Sequence, residues 1–349
     1  MSLICVPADS YEDPITGDMF NYNLKVGRNA IYQFFRTDAT TGETEILATV
    51  SDPSIKGAYI HSMFITENFL ILCICPVYYT MAGASILWER NLLNAMKFEP
   101  KQQTTWLVVD RSERRRGLVS TFVSPAMFSF HTVNAWEEQR DDGNVDLICE
   151  LVAYQDMDIL QRLYYDNMVS TGPGVKNYAG KSIMLTQLNR YRLANVPLRS
   201  DSSSATSTLK QPRTAEIINS VSAPKSGELP WINKEYATRP HRYVYSVVDR
   251  GLSSFIDGIC KTDTKTGDCI IWDHAKHTPG EAMFLARPKP EGGIENDEDD
   301  GILLSVVLDG EKGTSYLLCL DAKDLTEIAR ADCGVAVGFG FHGIHLPPA

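Results

Sequence analysis

Short apolar runs punctuated by turn residues recur along this chain, and that pattern most limits what it can fold into. Ile31–Arg36 reads as a strand, a Thr41-Gly42 turn follows, and Glu45–Val50 reads as its partner. Phe69–Cys75 is a continuous apolar run, as expected of a strand buried on both faces. Thr105–Asp110, Val145–Val152, His241–Val248, Ile302–Leu308 and Ser315–Leu320 read the same way. Strands this closely spaced, separated by Gly, Asp, Asn and Pro, predict an all-β closed architecture rather than a βαβ sheet.

A short internal repeat points the same way. Arg36-Thr37-Asp38-Ala39-Thr40-Thr41-Gly42-Glu43 matches Lys261-Thr262-Asp263-Thr264-Lys265-Thr266-Gly267-Asp268, and Asp321–Glu327 reads as a degenerate third copy. Each lies between two predicted strands, as a hairpin of a radially repeated blade would. Generic turn chemistry would give the same short match. Three segments break the strand pattern. Asp156–Met168 has helical spacing, residues 199–212 form a Ser/Thr-rich stretch expected to be a flexible insertion, and Glu291–Asp300 is an acidic run expected to be a solvated loop.

With 349 residues, 44% of them hydrophobic, the chain can bury one large core or two ordinary ones. We expect a single domain over 1–349. A formal net charge of -11 excludes a nucleic-acid partner held through clustered cations. The eight cysteines include no CxxC pair and read as reduced thiols of a cytoplasmic protein. The first residues lack the basic and apolar regions of a signal peptide, and no uncharged stretch reaches membrane-spanning length.

Three histidines stand out by their surroundings: His61 in Tyr59-Ile60-His61-Ser62-Met63-Phe64, His131 in Phe130–Glu138, and His342 in Gly340-Phe341-His342-Gly343-Ile344. Residues this far apart meet only if the fold points them at one axis. Converging neutral imidazoles suit a divalent ion such as iron. The competing reading is a set of unrelated core histidines. His241 reads as sitting at the start of a strand, His345 as a surface residue, and His274-x-x-His277 has metal spacing without a third ligand nearby in sequence. Glu137 and Glu138 are adjacent on a strand and so face opposite ways, which favours structural roles over an acid–base pair.

Taken together, the histidine segments resemble the carotenoid cleavage oxygenase family of carotenoid and stilbene dioxygenases and the retinoid isomerase. The resemblance runs from about Ala8 to the C-terminus. It implies a seven-bladed β-propeller with Fe(II) on its axis, held by four histidines. His61 falls in the second-ligand strand, His131 in the "FHxxNAWEE" segment and His342 in the C-terminal "FHG". It also implies that Glu228 accepts the outward N–H of His131 and Glu281 that of His342.

The text "AHPxxDPxTG" around the family's first ligand reads here Ala8-Asp9-Ser10-Tyr11-Glu12-Asp13-Pro14-Ile15-Thr16-Gly17, so Asp9 stands where the histidine would be. Asp9 is the candidate fourth ligand. What the family places before this turn is absent, so the resemblance implies an N-terminally truncated propeller lacking its opening blades. Residues 76–97 resemble the family's nonpolar membrane-docking patch, with Tyr78, Tyr79, Leu87, Trp88 and Leu92 facing lipid. A helix packed on the propeller face is the alternative.

The implied activity is cleavage of a C=C bond of a carotenoid, apocarotenoid or stilbene by O2. The implied partners are that apolar substrate, O2 and a peripheral membrane surface. A catalytically inactive propeller fragment acting as a binding module is the runner-up. A zinc hydrolase on a propeller ranks last, because no general base stands in a recognisable motif.

Overall fold

The computed structural model describes residues 3–5, 11–13, 15–27, 29–112, 117–169, 171–174, 176, 184–198, 212–288 and 296–343. Asp9, His345 and the stretch 199–211 lie outside them. The chain divides into two compact units, Met1–Met157 with Arg190–Ile218, and Asp158–Asn189 with Asn219–Ala349.

In the first unit, one antiparallel sheet orders Leu3–Cys5, Met19–Val26, Ile31–Thr37 and Thr44–Val50, with Tyr11–Glu12 paired to Met19–Val26. A second sheet orders Arg213–Thr214, Leu118–Ser124, Thr104–Asp110, Phe69–Ile74 and Phe64–Ile65. A third runs Thr132–Gln139, Val145–Ala153, Gln187–Val196, Glu216–Ser222, and the division between the units passes through its last two strands. In the second unit, a fourth sheet orders Glu228–Trp231, Tyr243–Val248, Gly258–Asp263 and Cys269–Trp272. The fifth orders His277–Pro279, Gly301–Asp309, Thr314–Asp321 and Glu327–Asp332, with Met283–Ala286 also paired to Gly301–Asp309.

Burial follows the apolar patterning. Every residue of Phe69–Ile74 is buried, as an unbroken apolar run requires, and so is every residue of Val145–Ala153, including the charged Asp146 and Glu150. In the first unit these strands share a core with Phe64, Trp106, Phe122, Tyr191 and Leu193. Trp106 lies stacked with Phe64 at 6.0 Å, and its indole N–H donates to Ser124 Oγ at 3.0 Å, so its one polar atom is satisfied. The second unit has its own core around Tyr245, Ile259, Phe284, Leu303, Val307 and Leu318. Each such side chain contributes about 1.5–3 kcal/mol on burial.

The internal repeat corresponds to one turn used three times. Its copies join Ile31–Thr37 to Thr44–Val50, Gly258–Asp263 to Cys269–Trp272, and Thr314–Asp321 to Glu327–Asp332, in each case the last two strands of a sheet path. Asp38 Oδ1 accepts from the amides of Thr40 (2.9 Å) and Thr41 (2.8 Å), and Asp263 Oδ1 from those of Lys265 (2.9 Å) and Thr266 (3.3 Å). Gly42 (φ 72°) and Gly267 (φ 74°) then adopt the left-handed conformation that closes the turn. In the third copy Leu325 occupies that position at φ 60°, and burying its side chain in the second core offsets the strain.

Two local expectations change. Asp156–Met168 forms two single-turn helices, Ile159–Arg162 and Tyr165–Met168, rather than one longer helix. The described end of the acidic run is pinned beyond Asp297, which stays exposed. Glu298 accepts from the amides of Arg242 (2.9 Å) and Tyr243 (2.7 Å), and Asp299 from the buried Lys261 ammonium at 2.5 Å. Asp297 and Asp300 pair with Lys323 and Arg287. Charge composition alone suggested solvent, whereas cations and strand-end amides elsewhere in the unit claim these carboxylates.

Candidate metal centre

His61 lies just before Phe64–Ile65, and His131 just before Thr132–Gln139. The fold of the first unit brings their rings to 4.8 Å between centroids, inclined at 73°. Hydroxyls lace the two segments together. Ser62 Oγ donates to Phe130 O at 2.5 Å and accepts from the Thr132 amide at 3.1 Å, gripping the chain on both sides of His131. Thr132 Oγ1 donates to Met63 O at 3.0 Å and also meets the Tyr11 hydroxyl. The His131 carbonyl accepts from Val152 N at 3.0 Å, tying the segment to the fully buried strand Val145–Ala153.

Sequence reasoning overlooked Ser62 and Thr132. The available signal was a hydroxyl residue directly after each histidine. Aromatic rings flank the pair. Phe130 lies edge-on to His61 at 5.6 Å, Phe128 packs on Phe130 at 4.7 Å, and Tyr154 and Tyr59 extend the cluster.

Glu137 and Glu138 take structural roles. Glu137 accepts from Thr66 Oγ1 (2.7 Å), Asn68 N (2.7 Å) and Asn68 Nδ2 (2.9 Å), which fixes the turn between Phe64–Ile65 and Phe69–Ile74. Glu138 accepts from the Trp136 indole at 3.1 Å.

In the second unit the buried Glu281 holds the exposed His342. Its Oε1 accepts from His342 Nδ1 at 3.0 Å and its Oε2 from Gly343 N at 2.9 Å. A ring that donates through Nδ1 keeps its lone pair on Nε2, and the carboxylate raises that nitrogen's basicity. Glu228 is also buried, and its Oε2 accepts from Leu229 N at 3.0 Å. Gly227 before it is obligatory, since a Cβ there would meet Val247 O at 1.9 Å.

His61 and His131 therefore belong to one unit, and His342, Glu228 and Glu281 to the other. Among the described residues no three His, Cys, Asp or Glu side chains form a group that could hold a metal ion. Within the first unit the adjacent imidazoles of His61 and His131 are donors of a kind that suits Fe(II), and within the second Glu281 fixes the tautomer of His342.

The other histidines do different work. His241 is buried just ahead of Tyr243–Val248. The His274 and His277 rings lie 3.9 Å apart, tilted by 37°, and His277 Nδ1 shares a 2.7 Å hydrogen bond with Tyr316 Oη. Burial, then His274, pushes His277 below the usual imidazole range.

The apolar stretch 76–97 is a short ribbon, Val77–Tyr79 against Met96–Phe98, enclosing one helical turn, Ile86–Glu89. Leu87, Trp88 and Leu92 are more than half exposed, as is Met81. Tyr78 is half-buried and Tyr79 buried, because they belong to the ribbon and not to its tip. Among the described residues no helix is long and apolar enough to cross a membrane.

Comparison with known proteins gives consistent relatives. The RPE65 family model (retinal pigment epithelial membrane protein) matches residues 6–347. A carotenoid dioxygenase of Neurospora crassa is 43% identical over 97% of this chain and 56% of its own length. A torulene dioxygenase of Fusarium fujikuroi is 40% identical over 99% of this chain and 59% of its own. The chain thus spans a little over half the length of these relatives. Among solved structures, an ACO/RPE65 chimera in a monoclinic crystal form superposes with a TM-score of 0.71 at 21% identity, covering 97% of this chain and 64% of that one. Cobalt-substituted Synechocystis ACO gives 0.71 at 22% identity with the same coverage. The sheets described above are blades of this β-propeller type.

Proposed function

The chain belongs to the retinal pigment epithelial membrane protein family, the carotenoid cleavage oxygenases that its histidine segments resemble, and from that premise we propose that it carries imidazole ligands of an Fe(II) centre for cleaving a C=C bond with O2. The observation that carries this reading is the approach of His61 and His131 on hydroxyl-laced segments. His61, His131 and His342 would hold the ion, with Asp9 the candidate fourth ligand. Bound there, Fe(II) would supply the electrons that let O2 react with an alkene.

The remaining roles fall to the chain's own groups. Ser62 sets the spacing of the two histidine segments, and Glu281 keeps the His342 lone pair on Nε2. Phe128, Phe130 and Tyr59 offer an apolar, ring-lined flank that suits a conjugated chain and excludes water. The names of the 40–43% identical relatives favour a carotenoid over a stilbene as substrate. Exposed Met81, Leu87, Trp88 and Leu92 suit peripheral contact with the cytoplasmic surface of a membrane from which such a substrate is drawn.

The test is iron retention followed by turnover. The purified chain is equilibrated with Fe(II) without air, desalted, assayed for iron, then given torulene or β-carotene under isotopically labelled O2. Retained iron and labelled carbonyl products, both lost in His61→Ala and His131→Ala, are expected. A folded chain that keeps no iron and yields no product overturns the reading. A polyene spectral shift in that same chain would then favour the binding-module alternative.

A further inference from the structure

Cysteine chemistry is absent from the function proposed above, and the thiols of the first unit's core are inert. Cys73, Cys75 and Cys149 are buried, and burial pushes the Cys73 and Cys149 thiols up. Cys269 differs. It opens the terminal strand Cys269–Trp272 of the fourth sheet and is half-buried.

Thr262 pairs directly with Cys269 and Cys260 with Ile271, so Cys260 and Cys269 are diagonal neighbours on one face of the sheet. The Cys260 S–H donates to Lys225 O at 3.5 Å and lies 3.6 Å from Thr262 Oγ1, so its sulfur sits against the backbone of the residue beside Cys269. Lys225 supplies positive charge beside Cys269, and its ammonium is anchored on Gly267 O at 3.1 Å. Behind the pair, Thr262 Oγ1 donates to Lys225 O at 2.6 Å, which fixes the backbone of the residue that supplies this charge.

A half-exposed thiol beside a cation, with a second thiol diagonal to it on the same face of the neighbouring strand, has the parts of a reactive and a resolving cysteine. We propose that Cys269 and Cys260 form a hydroperoxide-sensitive dithiol that closes to a disulfide across the Gly258–Asp263 and Cys269–Trp272 strands. The Cys269 thiolate attacks the peroxide oxygen, the O–O bond breaks, and the departing alkoxide or hydroxide takes a proton. This leaves sulfenic acid at Cys269. The Cys260 sulfur then attacks the Cys269 sulfur, the S–O bond breaks, and hydroxide leaves with the Cys260 proton as water. Two thiols and one hydroperoxide thus give one disulfide, one alcohol or water, and one water. The terminal position of Cys269–Trp272 leaves it room to make the small shift that S–S bonding needs.

Hydrogen bonding from Cys260 outweighs burial and draws Cys269 down to about 7, so an appreciable thiolate fraction is present near neutrality. Cys333 is exposed and serves as the internal control.

The test treats the full chain with equimolar hydrogen peroxide, blocks free thiols with iodoacetamide, and maps tryptic peptides. Lys261 and Lys265 place the two cysteines on separate peptides, 251–261 and 266–276. The expected product is these peptides joined and two hydrogens lighter, with Cys333 still alkylated. In Cys260→Ser, dimedone should trap sulfenic acid at Cys269. A second measurement needs no variant: Cys269 should alkylate about tenfold faster than Cys333 at neutral pH. Preferential loss of Cys333 with 260 and 269 alkylated, or equal alkylation rates, overturns the proposal.

Discussion

The two units hold their imidazoles by different means. In the first, neutral hydroxyls fix the backbones that carry His61 and His131, and the ring spacing follows. In the second, a buried carboxylate grips the ring of His342 directly, and the same group binds the next amide. Backbone lacing sets where two ligands stand. A carboxylate sets which nitrogen one ligand presents and how basic it is.

The sharpest way to break this contrast is to remove the carboxylate. Glu281→Ala should weaken cobalt(II) binding, read from visible absorption titrations, by about 10–100-fold. Glu281→Gln should fall between, since its amide oxygen still accepts from Nδ1. Unchanged affinity in both would show that the second unit's carboxylate does no more than hold backbone.

Ser62→Ala comes next. It removes one donor and one acceptor that flank His131. At about 1 kcal/mol for each hydrogen bond, stability should fall by about 2 kcal/mol, seen as a lower denaturant midpoint. Ser62→Thr keeps the hydroxyl and should recover most of it. A Ser62→Ala chain as stable as the parent would remove the lacing argument.

A smaller effect should follow from Glu137→Gln, one step further from the rings. Its carboxylate fixes the Thr66–Phe69 turn through three hydrogen bonds, and an amide keeps one acceptor oxygen. We expect a loss of about 1 kcal/mol in the same denaturation assay, without any change in cobalt(II) affinity.

How much of this was legible before the coordinates depends on what each feature rests on. An unbroken apolar run such as Phe69–Ile74 was visible because burial on both faces leaves no polar positions, and Val145–Ala153 stood out by its apolar majority despite Asp146 and Glu150. The Asp-Thr-Gly hairpins were visible because a left-handed glycine after an Asx turn is local chemistry. The lacing by Ser62 was not, since its partners lie 68 and 70 residues away and no local period marks them. The pinned acidic run was hidden for the same reason. Its cations and amides are supplied by Lys261, Arg242 and Tyr243, far off in sequence. The exposure of Leu87 and Trp88 was legible from composition, but the inward turn of Tyr79 needed the ribbon pairing.

The repeated hairpin gives the finest version of the comparison, because both units use the same turn with different surroundings. Asp38 is held below the usual carboxylate range chiefly by the amides of Thr41 and Thr40. Asp263 is held lower, to about 2, chiefly by the Arg242 guanidinium, whose Nε and Nη2 both donate to it. A carboxylate whose folded value lies below its unfolded value of 3.8 adds stability that is complete above about pH 4 and fades as pH falls toward 2. Arg242 is nearly half exposed, so solvent screening should hold the Asp263 contribution below about 1 kcal/mol. Urea midpoints for Asp263→Asn should therefore drop less between about pH 6 and about pH 3 than those of the parent chain. Asp38→Asn should flatten that acid limb less, because backbone amides do most of the holding there and its cation, Arg36, stands off at 3.5 Å. An equal effect in both variants would mean that turn geometry alone governs the titration, and that Arg242 adds nothing to it.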